Sequence, residues 1–509
     1  MAQAYPALSD LVGAMNSVPS TNLWDVVCSY SVDQLNEFLK AKYDAGTLAK
    51  DVTLSTDRLD PLTNEDFTIT YDIKFASPVL TFISGRSGVA TLTMEILEGS
   101  SYSVGPKVPD QNTPKPTPVA IPGGTYSVKA VIPLAAISGD TGEVIEQGDV
   151  LTFSDNKEHE NNVILHFKNE KGASYQITPE PDASAKDVLT TYFLPVLEQY
   201  FQNDVKETDY ALSTVNNSQP SSGLTLFTPK SFVFASMGDD DTGVLSLYIQ
   251  TKQSGNPAGN LSPSFQPGDQ SVFPIPAGYT ASIILSYSLI TQAFLAPQLA
   301  SSGFSVSFDT VADGISAQLT EDASVVADGK DGNYTFEEYS YDGLHISLKT
   351  NPLHFVIRDG QLSLQWKGES TSTWQQVVTG GNTAVAQYGK VDITIDLNKG
   401  PIPLALSDDN VTIADVAISR SDFSVHIKGK KCKKGEFILG CSDHAPDYYS
   451  KMKLTIPSIT ISLRGFDFFR TTNLLAPGNH VITIAQSEGL QTPHDFLIVG
   501  EVQKPTTFR

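Results

Sequence analysis

Two stretches about half a chain apart repeat one another, and that repeat constrains the fold more than anything else in the sequence. VVCSYSVDQLNEFLKAKY near the start aligns with IILSYSLITQAFLAPQL in the middle: Val26 falls on Ile283, Val27 on Ile284, and Ser29, Tyr30 and Ser31 on Ser286, Tyr287 and Ser288. Each copy reads as an apolar strand running straight into an amphipathic helix, and a self-match at that distance signals two related units rather than a short-period solenoid. At 509 residues the chain also exceeds the size at which one core stops growing. The expected division is an N-terminal unit at 1–250, a crossover rich in Gly, Pro, Ser and Asn at 251–278, and a C-terminal unit at 279–509.

Ser31 is placed to cap the first helix with Gln34 reaching back, and Leu35, Phe38 and Leu39 continue at helical spacing until Gly46. Strict alternation follows, with Phe67, Ile69, Tyr71, Ile73 and Phe75 opposed to Thr68, Thr70, Asp72 and Lys74, which is an antiparallel strand with one buried face. Further strands are expected at 89–97, 126–132 and 163–167, with a Pro-rich surface excursion at 105–122. In AKDVLTTYFLPVLEQYFQ the apolar residues recur as adjacent pairs every four positions, Val188 and Leu189 through Tyr200 and Phe201, and Pro195 predicts a kink. In the second copy Leu289, Ile290, Ala293 and Phe294 form the stripe, and Pro297 marks its last turns. Beyond Gly303 strands are expected at 304–308, 344–348, 362–366, 391–397, 411–418, 423–427 and 454–463, the last changing phase at Pro457. The fold class is α+β, mostly antiparallel β.

Acidic residues outnumber basic ones 57 to 34, for a formal charge of −23, so the surface repels nucleic acid and anionic bilayers unless its positive charges are gathered in one place. One such gathering is KGKKCKKG, where Lys428, Lys430, Lys431, Lys433 and Lys434 crowd an expected turn; it suits either contact with anionic head groups, a peripheral membrane contact, or a solvated, edge-protecting loop. Phe466, Phe468 and Phe469 read as a membrane-dipping tip or as core. Three cysteines suit a reducing compartment, and Cys28 reads as a small core residue. With no basic leader and no apolar run near the roughly 20 residues that span a bilayer, the expectation is a soluble protein without a transmembrane segment. It would be cytoplasmic at synthesis, with any release independent of a Sec signal, and sites such as Asn333 then carry no glycosylation meaning.

Catalytic signatures are missing. There is no G-x-S-x-G elbow, zinc helix motif or phosphate loop, so neither an enzyme nor a cofactor is expected. Ser442, Asp443 and His444 are contiguous, but triads assemble from distant positions. Cys432, Cys441 and His444 give C-x8-C-x2-H, three metal ligands at best, with two free thiols or a hairpin disulfide as the alternatives. Asp239, Asp240 and Asp241 form an acidic turn without calcium-loop spacing.

Helix, long meander, aromatic helix, crossover, then helix and meander again resembles the tubular lipid-binding (TULIP) proteins, and within them the TULIP-type accessory proteins encoded beside clostridial botulinum neurotoxin genes. The patches that carry the resemblance are PIPAGYTASIILSYSLITQAFLAP, TNLWDVVCSYSVDQLN and TPHDFLIVG from Thr492 to Gly500. The Pro-rich excursion and the tail after Val502 have no counterpart. The resemblance implies two units, each a highly curved sheet wrapped around a long amphipathic helix. They leave an apolar tunnel or groove for a lipid or fatty acid-like ligand, in a protein working beside a bacterial toxin or a neighbouring-gene product. Such a sheet curled round one helix buries both without a second layer, and a loose fit leaves a cavity. The expected walls are Leu35, Phe38 and Leu39 in the first helix, Tyr192, Phe193, Val196, Tyr200 and Phe201 in the second, and Leu289 and Phe294 in the third. The alternative is a solidly packed, toxin-associated interaction component with its specificity on loops.

Overall fold

The computed structural model describes residues 4–60, 62–108, 114–138, 144–153, 160–179, 188–206, 209–216, 228–238, 242–252, 254–311, 313–327, 332–334, 337–341, 343–380, 383–406, 410–412, 415–433, 454–457, 459–461, 466–467, 474–475 and 482–502. Its centre is a seven-stranded sheet in which the strands of the two repeat copies lie side by side, Val26–Ser31 against Ala281–Leu285. They pair antiparallel with Val27 opposite Ile284, Val26 opposite Leu285 and Cys28 opposite Ile283. Val27 and Ile284, which match in sequence, therefore sit across from each other, with the steps on either side exchanged, and a local pseudo-twofold axis passes between them. The flanking strands obey the same axis. Gly243–Thr251 and Pro229–Gly238 continue the sheet on one side, and Phe496–Val502 and Ile482–Ile484 continue it on the other.

Both faces of this sheet are apolar because both are covered, which is why its strands read as uninterrupted hydrophobic runs instead of alternating ones. One face, with Val26, Cys28, Tyr30, Ile283 and Leu285, belongs to a core that is continuous through the molecule. The other, with Val27, Tyr248, Ile284 and Leu497, is covered by Leu11 and Met15 of the helix Leu8–Met15 and by Phe265 of the crossover. The sequence reading missed that short helix and took the crossover for a mere connection. Trp24 Nε1 donates to Asn260 O at 2.9 Å, and a Cβ on Gly259 would fall within 2.6 Å of Asn22 O, so only glycine lets the crossover lie this close.

Ser31 Oγ accepts from Gln34 N at 3.2 Å and Gly46 ends the helix Val32–Ala45 at φ 81°. The return bond to Gln34 is not made, since Ser31 N donates to Thr280 O at 2.9 Å, and Gln34 Nε2 is buried without a partner. Instead Asn36 clasps the neighbouring strand Val79–Ile83, donating to Leu80 O and accepting from Leu80 N at 2.9 and 2.7 Å. In the second copy the cap moves two residues back: Leu289 N donates to Ser286 Oγ at 3.1 Å. Pro195 and Pro297 both follow π-helical turns, Leu189–Phe193 and Leu289–Leu295. The wider turn makes room for a ring that lacks an amide donor.

Around the first helix lie an antiparallel sheet centred on Tyr126–Ser138 and a four-stranded sheet built on Asp51–Leu59 and Asp66–Lys74, where the expected alternation holds with Ile69, Tyr71 and Ile73 buried. In the second half a hairpin dominates: Gln361–Gly380 pairs along its length with Thr383–Pro403, which pairs on its far side with Phe423–Lys433. The expected single strand at 411–418 is two, Asn410–Thr412 and Val416–Ile418, with different partners. Of the strand expected at 454–463 the described part is Ile459–Ile461, beyond Pro457, with Thr455 bridged to Val326 on the other side of the proline. Among the described residues no helix is long and apolar enough to cross a membrane.

Candidate functional site

The helix Leu189–Asn203, π then α, touches strand Asp51–Leu59 of one sheet and strand Ser174–Pro179 of the next, and so fills the seam between them. Its paired spacing becomes two stripes. Leu189, Phe193, Leu197 and Phe201 are buried, while Val188, Tyr192, Val196 and Tyr200, one position earlier in each pair, are half-buried. Aromatic rings surround the buried stripe. Tyr71 packs on Phe193 with centroids 4.9 Å apart and donates its hydroxyl to Val188 O at 3.0 Å. Phe167 stacks on Phe201 at 5.0 Å, and Tyr210 meets Phe167 edge-on at 4.9 Å.

Among the described residues, two polar groups flanking the helix, besides the Tyr210 hydroxyl, are buried in this apolar surround without a hydrogen-bond partner. On one flank the Arg58 guanidinium lies 5.3 Å from the centre of the Tyr192 ring, and its Nε is buried without a hydrogen bond. On the other flank the Tyr175 hydroxyl is likewise buried and unpartnered, its ring 5.9 Å from Phe201. Burial raises the pKa of the Tyr175 hydroxyl, helped by the nearby Glu198 carboxylate, and burial raises that of Glu198 itself. Neither orphan was singled out from the sequence. A signal for Arg58 exists, because it continues the inward-facing positions Val52, Leu54 and Thr56 of an alternating strand where an apolar residue belongs.

Of the expected walls, Leu35, Phe38, Leu39, Phe193, Phe201, Leu289 and Phe294 all lie in the one continuous core, with Tyr192 and Tyr200 packed against it. Val196 is half-buried outside that core. The lysine run is not a turn: Lys428, Lys430, Lys431 and Lys433 lie on strand Phe423–Lys433, because the partner strand is long enough to carry pairing as far as Gln387 opposite Lys433. Among the described residues that strand pairs with one neighbour in its sheet. Lys434, Cys441, the Ser442 to His444 run, Asp239 to Asp241, Phe468 and Phe469 lie outside the described residues. Among the described residues no group of three or more His, Cys, Asp or Glu could hold a metal ion.

No protein-family model and no curated protein sequence matches the chain. Among solved structures it is similar to P47 from Clostridium botulinum A2, with 14% identity and a TM-score of 0.44 over 95% of this chain and 98% of that one. P47 of Clostridium botulinum E1 aligns at 12% identity and a TM-score of 0.42 over 95% of this chain and 100% of that one. A lipopolysaccharide binding protein aligns at 8% identity and a TM-score of 0.27 over 94% of this chain and 99% of that one.

Proposed function

We propose that the chain is a non-enzymatic, two-unit protein of tubular lipid-binding type, divided at 1–250, 251–278 and 279–509, which takes an acyl-chain lipid into the seam filled by Leu189–Asn203. The observation that carries this reading is the pair of orphaned polar atoms, Arg58 Nε and Tyr175 Oη, set into aromatic surroundings on either side of that helix. A buried donor left without a partner costs about 1–3 kcal/mol, so a fold keeps one where a ligand completes it. An anionic lipid head beside Arg58, with its chain along Tyr192, Val196 and Tyr200, supplies the missing partner. Leu35, Phe38, Leu39, Phe193, Phe201, Leu289 and Phe294 back this wall and keep water out. The lysines at 428–434 would meet a membrane or an acidic partner. A role beside a toxin or another secreted assembly fits the same architecture.

A solid interior with no ligand, and specificity on the loops, is the competing reading. It is favoured by the exposure of Leu35, Phe38, Leu39, Phe193, Phe201, Leu289 and Phe294, none above 2%. Organic-solvent extraction of the purified protein followed by mass spectrometry decides between them. Stoichiometric lipid that falls severalfold in Val196→Glu and Tyr192→Glu, both at half-buried positions that tolerate substitution better than Phe193→Glu, supports the lipid reading. A clean extract, or lipid unchanged in folded variants, overturns it.

A further inference from the structure

On the opposite side of the central sheet from the continuous core lies a cleft of about 300 Å³ that the lipid reading leaves unused. Its floor is the outward face of strand Gly243–Thr251, at Ser246 and Tyr248. One wall is the hairpin turn between Val79–Ile83 and Arg86–Glu95, where Ile83 pairs with Arg86 across Ser84 and Gly85, the glycine at φ 69°. The other wall is the crossover at Pro263 to Gln266. Hydrogen bonds hold the hairpin to the sheet in advance of any ligand: Ser236 Oγ accepts from Gly88 N at 2.8 Å, and Ser87 Oγ accepts from Ser236 N at 3.2 Å and from Gln147 Nε2 at 2.8 Å.

Two side chains of the cleft, Tyr248 and Arg86, have no hydrogen-bond or ion-pair partner among the described residues. Tyr248 is 1% exposed and lines the cleft, yet its hydroxyl makes no hydrogen bond to any described residue. Burial alone raises its pKa, with no bonded neighbour among the causes. Most buried tyrosine hydroxyls find a partner. Arg86, exposed at the rim, forms neither an ion pair nor a hydrogen bond with a described residue, in a chain that carries 57 acidic side chains. Ser246 shares its hydroxyl with Ser29 at 2.8 Å and retains acceptor capacity, and Ser264 brings another hydroxyl to the opposite wall. The Tyr248 and Phe265 rings give the cleft an apolar base beneath these hydroxyls.

We infer that this cleft binds a small hydroxylated organic anion about the size of one sugar ring, its carboxylate or phosphate held by Arg86 and one of its hydroxyls by Tyr248. The size follows from the volume, at the lower end of the roughly 300–1,000 Å³ of small-molecule sites. The sign follows from a guanidinium fork that meets no carboxylate among the described residues, the geometry that suits carboxylate and phosphate oxygens. The hydroxyls follow from serines set around an aromatic base, where an alkyl chain would strip them of water without replacing its hydrogen bonds.

The test is calorimetric titration of the full chain with glucuronate, glucose 6-phosphate and glucose, repeated on Arg86→Ala and Tyr248→Phe. At least one of the two anions binds, and glucose binds at least about tenfold more weakly. Binding of glucuronate alone identifies a carboxylate ligand, and binding of glucose 6-phosphate alone a phosphate one. Arg86→Ala removes the preference for the anion. Tyr248→Phe weakens binding about fivefold, the worth of one neutral hydrogen bond. Its melting temperature does not fall, because no internal bond is lost. A purely structural Tyr248 predicts unchanged affinity in that variant. No heat with any of the three at millimolar concentration, equal affinity for glucose, or anion affinity unchanged in both variants overturns the inference. None of these outcomes depends on the lipid content read in the extraction.

Discussion

Asp495→Ala tests how the two halves are fastened at one end of the central sheet. Asp495 is 1% exposed; its Oδ2 accepts from Ser20 N and Ser20 Oγ, both at 2.7 Å, and its Oδ1 accepts from Tyr287 N at 2.8 Å. One carboxylate thus ties the N-terminal arm, the start of the second-copy helix and the closing strand together, and the His494 ring stacks on Tyr287 beside it with centroids 5.0 Å apart. Hydrogen bonds to a charged acceptor contribute about 1.5–3 kcal/mol each, and truncation takes this acceptor from both backbone amides. Truncation should therefore cost about 3–5 kcal/mol. For 509 residues the unfolding entropy near the transition is about 1 kcal/mol/K, which converts that loss to about 3–5 °C in melting temperature if the chain melts as one unit. Calorimetry reads the shift, and hydrogen exchange reads faster exchange at Ser20 and Tyr287. Asp44→Ala, which removes an exposed pair with Lys40, is the control and costs no more than about 0.5 kcal/mol. A loss for Asp495→Ala no larger than the control's, with protection retained at Tyr287, refutes the account.

Other expectations are more local. In a Cys432→Ser, Cys441→Ser background Cys28, fully buried and with its thiol pKa pushed up to about 12 by burial, should resist thiol reagents at pH 8 until denaturant opens the sheet; reaction in the native state would contradict its placement. Ser31→Ala should cost about 1 kcal/mol in denaturant unfolding, and Ser286→Ala a similar amount, whereas Ser288→Ala, at the position that matches Ser31 in sequence, should cost less. Asp422 titrates below the usual carboxylate range, held there by the Ser419 amide and the Lys399 ammonium at 2.9 Å. Because its folded pKa is depressed, its help to the fold is complete above the unfolded carboxyl's pKa and disappears as pH falls through the folded value. Titration of its carboxyl carbon by NMR checks the direction.

Where one physical constraint acts alone, the sequence could be read directly. The Ser31 cap, the Gly46 stop and the alternation through Ile69, Tyr71 and Ile73 are each decided by residues within a few positions, and each appears where expected. In the second copy SYS offers two serines as cap, and tertiary pairing chooses between them: strand Ala281–Leu285 ends just before Ser286, while its counterpart runs on to Ser31. The crossover was misjudged for a related reason. Its Gly and Pro content reads as a linker, but the sheet beneath it has a second apolar face, and that face was invisible while Val27 was read only as a member of an apolar strand. The lysine run was placed in a turn because charge suggested solvent, and nothing local reveals that a 21-residue partner strand extends far enough to pair with it.

The pairing of the two repeat strands also explains why such a short self-match survives in the sequence. At a pseudo-twofold axis each copy is its twin's neighbour, so a substitution on either side meets the equivalent position of the other. Val27 and Ile284 face each other, and each of Val26 and Ile283 meets the partner of the opposite step, Leu285 and Cys28. Away from the axis the halves touch different surroundings and are free to diverge. The first half encloses an aromatic helix in a seam, and the second half instead extends a hairpin of 20- and 21-residue strands. The candidate lipid wall at Tyr192 to Phe201 lies in the diverged first half, and the cleft beside Arg86 lies between that half and the crossover; both have a polar group without a described partner set against buried rings. The shared central sheet is the rigid part from which both sites are hung, because its inner strands are buried on two faces and hydrogen-bonded on two edges. A ligand in either place would then act on the loops and helices that cover the sheet and leave the pairing of Val27 with Ile284 unchanged.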